Sequence, residues 1–335
     1  MGTFTFVVRR LLELVPTLLG LLLLIFIIAR VMPGDPVGLA LGPEATQEQV
    51  EAFRAELGLD QPLWKQFVDY VVGLTRGEFG TSLRTYQDVG ADIAQSLGAT
   101  LELVIAALFI AVLVGVPVGM LSALHRDTWI DNLVRAISIS GVALPRFWVG
   151  IMLQIWLGSQ LGLFPIIGRD SGVPPDHVTG MYVLDSLLTF DFRALRDSLL
   201  HLFLPAITLA LPSAAQLARL TRASMIEVLR QQYVLVHHAY GIHPQVVAWR
   251  FALRNGLTSV LTLVGLSFGA LIENAVLVEV VFSWPGISAY GASAVLAKDF
   301  NAVVAVTLII GLAFLLANLI VDLLYGLLDP RVRHA

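Results

Sequence analysis

The stretch LVIAALFIAVLVGVPVGMLSAL, Leu103 to Leu124, runs for 22 residues without a charge. At about 1.5 Å per residue, a helix of that length covers about 33 Å, enough to cross a hydrocarbon layer roughly 30 Å thick. Five further regions read alike on either side of it. Leu11 to Ala29 carries only Glu13 and follows Arg9 and Arg10, and Ala136 to Gly168 is interrupted only by Arg146. The run between Asp197 and Arg219 contains His201, Pro205 and Pro212. After Arg254 the chain is uncharged to Ile272, with Glu273 and Glu279 beyond, and Asn301 to Val321 lies between Asp299 and Asp322. The expected fold class is an all-α membrane protein with six transmembrane helices.

Composition agrees with the spans. Over 335 residues, 57% are hydrophobic and 14% charged, and the mean hydropathy is +0.80, values that belong to a membrane-embedded chain rather than to soluble domains. Of the 21 basic residues only Lys65 and Lys298 are lysines, and they are followed by Gln66 and Asp299. A phosphate-binding P-loop needs Lys followed by Ser or Thr after a glycine-rich turn, so the chain carries no Walker A site. The absence of cysteine excludes disulfides and thiolate metal sites. A net charge of −4 argues against nucleic acid as a partner, and no Ser/His/Asp or paired-carboxylate constellation suggests hydrolysis.

Arginines orient the spans. Arg9 and Arg10 place the N-terminus in the cytoplasm by the positive-inside rule, and six crossings return the C-terminus to the same side. The first span reads as a retained helix, because it lacks a small-x-small cleavage site and is longer than a signal-peptide core. The loop His125 to Arg135, the segment Arg219 to Arg254 and the tail with Arg331 and Arg333 then lie inside. The segment Met32 to Gly98 lies outside, with ten acids against four bases. This divides the chain into residues 1–31 (cytoplasmic N-terminus and first span), 32–98 (an extracytoplasmic helical segment) and 99–335 (the core, with an external loop over 169–197 and a cytoplasmic loop over 223–254).

The polar segments are patterned too. Thr46 followed by Gln49 makes a capping-box start, with Val50, Phe53 and Leu57 on one face before Gly58. A second external helix is expected to open at Pro62, with Trp64, Phe67, Val68, Val71 and Val72 in one stripe that docks onto the bundle or a partner. Pro174, Pro175 and Gly180 mark 169–197 as an irregular loop with one short helix. Residues 219–254 are too polar to span, yet Met225, Val228, Leu229, Val234, Val236 and Ala239 keep an amphipathic character, and Gly241 and Pro244 interrupt them. A helix, a tight turn and a second helix there would make a protrusion for a cytoplasmic partner.

At this point the chain resembles the inner-membrane permease subunits of ATP-driven (ABC) importers, in their dipeptide, oligopeptide and nickel family. The likeness rests on an ordered set of short pieces: Pro33-Gly34-Asp35-Pro36, Leu57-Gly58-Leu59-Asp60-Gln61-Pro62, GEFGTSL over Gly77 to Leu83, Leu204-Pro205-Ala206 and Arg222-Ala223-Ser224-Met225. Ala252-Leu253-Arg254-Asn255, Phe282-Ser283-Trp284-Pro285-Gly286, Asp322-Leu323-Leu324-Tyr325-Gly326 and Asp329-Pro330-Arg331 complete it. The resemblance implies a type I importer permease fold in a bacterial or archaeal cytoplasmic membrane. It also implies a second homologous permease, two ATPase subunits that hold the ATP and Mg, and an extracytoplasmic solute-binding protein that delivers di- or oligopeptides, with glutathione or nickel as alternatives. No cofactor is expected in this chain itself. Members insert a coupling helix, the EAA loop, into a groove on the ATPase. Its counterpart here is Tyr233-Val234-Leu235-Val236-His237-His238-Ala239-Tyr240-Gly241-Ile242, with Tyr233, His237, His238, Ala239, Gly241 and Ile242 as the ATPase-coupling candidates. Leu235, Val236, His237, His238 and Tyr240 depart from the family pattern, which is smaller and more basic, so a dedicated ATPase is expected.

Arg146, directly after Pro145, is the outlier among the spans, since an arginine at mid-membrane costs about 2.5–3.5 kcal/mol on insertion scales. Pro145, Arg146 and Glu273 are the translocation-path candidates, and a bend at Pro145 that lets Arg146 snorkel to water is the structural alternative. Glu102, Glu273 and Glu279 are its possible counter-charges. Adjacent His237 and His238 diverge by about 100° on a helix and are no metal site. His201 reads as a satisfied interfacial histidine. Gly115 and Gly119 form a GxxxG, for contact within the chain or with a second permease. An ion-coupled secondary transporter would instead need several mid-membrane carboxylates and an inverted repeat, and neither is evident.

Overall fold

The computed structural model describes residues 12, 15–27, 46–56, 58 and 60–328. The Pro33–Pro36 and Asp329–Arg331 pieces, Arg9, Arg10, Leu57 and the side chains of Phe53 and His238 lie outside the described residues. Among the described residues the chain is helical, with a single isolated bridge between Thr81 and Asp88.

Two long helices form the centre. Helices are numbered along the chain: α1 is Val15–Ile27, α2 Gln47–Glu56, α3 Leu63–Thr75 and α4 Val89–Leu124. They continue with α5 Trp129–Ala143, α6 Arg146–Leu153, α7 Tyr182–Leu188 and α8 Phe192–Val228. The last four are α9 Gln232–Ala239, α10 Leu253–Val281, α11 Ile287–Leu296 and α12 Phe300–Leu328. Both central helices open on aspartate caps. The Asp88 carboxylate accepts from the Ala91 N–H of α4, and Asp191 accepts from Arg193 and Ala194 of α8, satisfying donors that a helix start leaves free. At 36 residues α4 is about 54 Å long, so it continues well outside the membrane before Leu103.

The GxxxG of α4 is an intrachain contact. A Cβ at Gly115 would lie 2.7 Å from the Ala214 carbonyl oxygen, and one at Gly119 would overlap Ala218 O and the Thr221 side chain. Only hydrogen fits at these two positions, so α4 and α8 pack backbone to backbone. Around that pair, Leu103, Leu204, Leu209, Leu271, Val278 and Phe282 form the main buried cluster.

Among the described residues four helices are long and apolar enough to span: α4, α8, α10 over Val260–Val281 and α12 over Phe300–Leu319. The third expected span is not straight. It is the pair α5 and α6, bent by 104°, because Pro145 has no N–H for the helical ladder and holds Leu144 in extended backbone (ψ 134°). After α6 the chain passes into a π-helical turn, Gln154–Gln160, where the Gln154 amide donates to the carbonyls of Ile166 (2.8 Å) and Val281 (3.0 Å). α1 is apolar but, over its described residues, shorter than a span. Its Leu21 lies against Gly311 of α12, and Phe26 meets Phe67 of α3 edge-on at 5.4 Å.

The segments outside the spanning helices are pinned to the bundle by buried polar groups. Thr46 and Gln49 exchange the expected capping-box bonds (3.0 and 3.3 Å). The α3 stripe divides: Phe67 and Val71 are partly covered, whereas Trp64, Val68 and Val72 stay exposed. The GEFGTSL stretch turns at Gly77 and Gly80, both with positive φ, and delivers Ser82 to the buried Asp299 carboxylate at 2.5 Å. Thr85 and Tyr290 both donate to Asp92 (2.6 and 2.9 Å). In the 169–197 loop, buried Asp185 accepts from the backbone of Thr179 and Gly180 and from the Thr179 hydroxyl. Burial pushes its pKa up, but these bonds outweigh it and hold the carboxyl below the usual range.

Candidate translocation path and coupling surface

The candidate coupling segment grows directly out of α8. After Val228 the chain turns and makes α9, then reverses at Gly241 (φ 74°). That conformation favours glycine whatever the space around it, and no described residue lies within 4 Å of a Cβ there. Beyond the turn, His243 caps Pro244–Val246, and a π-helical stretch, Val247–Ala252, leads into α10.

The two faces of α9 differ. Tyr233 accepts from the Asn255 side-chain amide (2.9 Å), and Val234 is fully covered. The His237 Nδ1 donates to the Tyr233 carbonyl oxygen (2.6 Å), and its ring lies 4.4 Å from that of Phe251. Tyr233 and His237 therefore fix α9 to its own chain. Outward point Leu235 (63% exposed), Val236 (51%) and Tyr240 (82%), with Ala239 exposed beside them and Ile242 partly covered.

Arg146 opens α6 with Pro145 at its cap. It is only partly exposed, and its Nη1 is buried without a hydrogen-bond partner among the described residues. Of the three candidate counter-charges, Glu273 is the one whose field acts on it, and Glu273 is itself exposed on α10. The other two are engaged elsewhere. Glu102 pairs with Arg169 across α4 and the external loop, Oε2 to Nη2 at 2.5 Å, with both side chains buried. Glu279 is wholly buried and accepts from the Thr100 hydroxyl (2.6 Å) and the Ala289 N–H (2.7 Å). A carboxylate at the start of α11 meets free helical donors and the positive end of the helix. A Cβ on Gly286 would overlap that carboxylate, which is why the FSWPG turn ends in glycine. Its Trp284 is buried and donates to the Ala99 carbonyl oxygen (2.9 Å).

A cavity of about 500 Å³ opens between α4, α10 and α12, lined by groups such as Leu101, Val264, Phe268 and Leu312. It offers a polar solute no hydrogen-bonding group, so it does not suit a hydrophilic cargo.

Residues 115–334 match the family described as binding-protein-dependent transport system inner membrane component, and residues 3–104 match the N-terminal part of such components. This chain belongs to that family. The permease is 39% identical over 332 residues to the dipeptide transport system permease protein DppB of Alkalihalophilus pseudofirmus, covering 98% of this chain and 99% of that one. It is 41% identical to the probable D,D-dipeptide transport system permease protein DdpB of Escherichia coli, over 95% and 94% of the two chains. It is 35% identical to the glutathione transport system permease protein GsiC of Escherichia coli, over 98% and 99%. Among solved structures it resembles the inward-facing MetNI methionine ABC transporter, with a TM-score of 0.54 and 15% identity over 71% of this chain and 96% of that one. That likeness establishes the type I permease fold.

In this permease the candidates fall into two places. Tyr233, His237, Ala239, Gly241 and Ile242 lie together on or beside α9, whereas Pro145, Arg146 and Glu273 lie at the α5–α6 bend and on α10. Of the bulky departures from the family pattern, Leu235 and Val236 lie on the outward face of α9 and Tyr240 directly after it. Sequence reasoning passed over the Arg222–Asp131 ion pair, Nε to Oδ1 at 2.6 Å. Its one trace was Arg222 within the Arg-Ala-Ser-Met piece, since Asp131 lies 91 positions away.

Proposed function

We propose that this permease forms half of the membrane pathway of an ATP-driven peptide importer. The observation that carries the reading is the likeness, along nearly the whole chain, to permeases named for dipeptide, D,D-dipeptide and glutathione transport. A second homologous permease supplies the other half, two ATPase subunits hold ATP and Mg, and an extracytoplasmic binding protein delivers the peptide. The N- and C-termini and α9 face the cytoplasm. There the exposed Leu235, Val236 and Tyr240 enter the ATPase groove, and Gly241 permits the sharp return behind them. ATP favours the closed ATPase pair, and its differential affinity for that state biases the membrane helices between their two arrangements. Pro145, Arg146 and Glu273 border the path: Arg146 has a buried Nη1 with no hydrogen-bond partner among the described residues, a donor suited to a peptide carboxylate.

The test is uptake of a labelled dipeptide by vesicles containing this permease, its co-purifying subunits and the binding protein. Import is expected only when ATP and the ATPase subunits are both present. Import by the purified permease alone, driven by a proton gradient, would overturn the reading. Gly241→Pro is expected to abolish ATPase co-purification, and retained association would refute the coupling role of α9.

A further inference from the structure

The bent pair α5–α6 carries Pro145 and Arg146, yet it is thinly attached to the rest of the chain. In α5 only Asp131, Ser138 and Gly141 are buried, while Leu133, Ile137, Ile139 and Val142 are 40–59% exposed. Its attachments lead to α8. Near the bend, Gly141 faces Ala215 and Leu211. At the opposite end, Asp131 is completely buried and receives both arms of the Arg222 guanidinium, Nε to Oδ1 and Nη2 to Oδ2, each at 2.6 Å. The Ser122 hydroxyl at the end of α4 (2.5 Å) and the Asp127 N–H (3.1 Å) donate to the same carboxylate. A two-armed ion pair between planar groups fixes both distance and angle, which a single contact does not.

Arg222 lies within two turns of the end of α8, where that helix becomes the coupling segment. There Met225 and Val228 of α8 pack with Met120 and Ala123 of α4, with Ala248 and Ala252 of the π-helical stretch, and with Tyr233 of α9. One packed cluster thus ties α9 to the end of α8, and one bidentate ion pair ties the end of α8 to α5. Beyond the 104° bend, α6 rests through Gly150 on Phe282 and Thr208.

We propose that the Arg222–Asp131 ion pair is the positioning element that carries displacement of the coupling helix α9 to the bent helices α5 and α6, and so to Arg146. The proposal rests on the assignment of α9 as the ATPase-coupling helix. Arg222 touches neither nucleotide nor cargo. It acts by making α5 follow α8, so that ATP-driven movement at the inner end turns the bend rather than sliding past it. Its loss therefore separates hydrolysis from transport instead of stopping both.

The experiment measures peptide imported per ATP hydrolysed, with the complete assembly of permeases, ATPases and binding protein in proteoliposomes. For Arg222→Gln we expect normal co-purification of subunits and ATPase activity within about twofold of wild type, while import per ATP falls about tenfold, the size of an ordinary coupling free energy. Arg222→Lys keeps the charge and one bond, and is expected to recover most of the ratio. Ser122→Ala, which removes one donor from Asp131 and no charge, should fall between. An unchanged ratio in Arg222→Gln overturns the proposal. So does a parallel loss of hydrolysis and import in both Arg222 variants, which would make the pair merely structural. Should Arg222→Gln fail to assemble, Arg222→Lys and Ser122→Ala carry the test, and wild-type ratios in both overturn it. ATP-independent import by the wild-type assembly would instead be a failure of the proposed function.

Discussion

Removing the Glu102 carboxylate should cost far more than removing it together with its partner. In the folded chain Arg169 is 5% exposed and its guanidinium is served by Glu102 Oε2 and by the Gly180 carbonyl oxygen at 3.0 Å. It lies 3.7 Å above the Tyr182 ring, and Glu102 Oε1 also accepts from the Val183 N–H at 2.6 Å. Glu102→Ala leaves a buried cation without its counter-charge, a loss of about 3–5 kcal/mol. It also orphans the Val183 N–H, for a further ~1–3 kcal/mol. Glu102→Gln keeps an acceptor and the shape, and should lose less. In the double variant Glu102→Ala/Arg169→Leu no charge is left to bury, so most of the ion-pair loss is expected to return. The assay is the apparent melting temperature of the detergent-solubilised complex, compared across the three variants. The expected order of stability is wild type, then the double variant and Glu102→Gln, then Glu102→Ala. A double variant less stable than Glu102→Ala would refute the reasoning, because the pair would then act through independent contacts rather than through charge compensation.

Two further outcomes follow from individual sites. Arg146→Ala should leave the complex assembled but lower peptide uptake by about tenfold, the loss of one charged hydrogen bond of roughly 1.5 kcal/mol to the cargo; unchanged uptake would reduce Arg146 to a residue of the bend. Asp185 has a lowered carboxyl pKa in the fold, so its stabilisation is present above the unfolded value near 3.9 and is lost as pH falls through the lower folded value. Asp185→Asn should therefore destabilise the complex at pH 7 and by progressively less as the pH is lowered below about 3.9, and thermal melts over a descending pH series check it.

Much of this architecture was legible in one dimension because hydrocarbon is unforgiving. A chain that crosses it must hide its backbone polarity in helices and keep charges out of the spans. The uncharged runs therefore announced the spanning helices, and the capping residues at Thr46 and Gln49 announced α2. The same reasoning made Arg146 conspicuous. It could not choose Arg146's surroundings, because Glu102, Glu273 and Glu279 have equal standing as letters. Only packing assigned Glu102 to Arg169 and Glu279 to the start of α11. A bend at Pro145 was one of the two readings of Arg146, but its angle of 104° was not legible, since Pro145 allows either a mild kink or a sharp break and the neighbours decide which.

What the sequence determined by itself was the class of the molecule: membrane-embedded, helical, without a Walker A motif, and carrying a patterned polar segment between two spans. These are properties of runs of residues and of their solvent, so they survive without coordinates. What only the tertiary structure decided was which distant residues meet: Gly119 with Ala218, Ser82 with Asp299, Asp131 with Arg222. Such contacts depend on how two helices lie against each other, and pairs separated by 91 to 217 positions leave no periodicity for a single sequence to display.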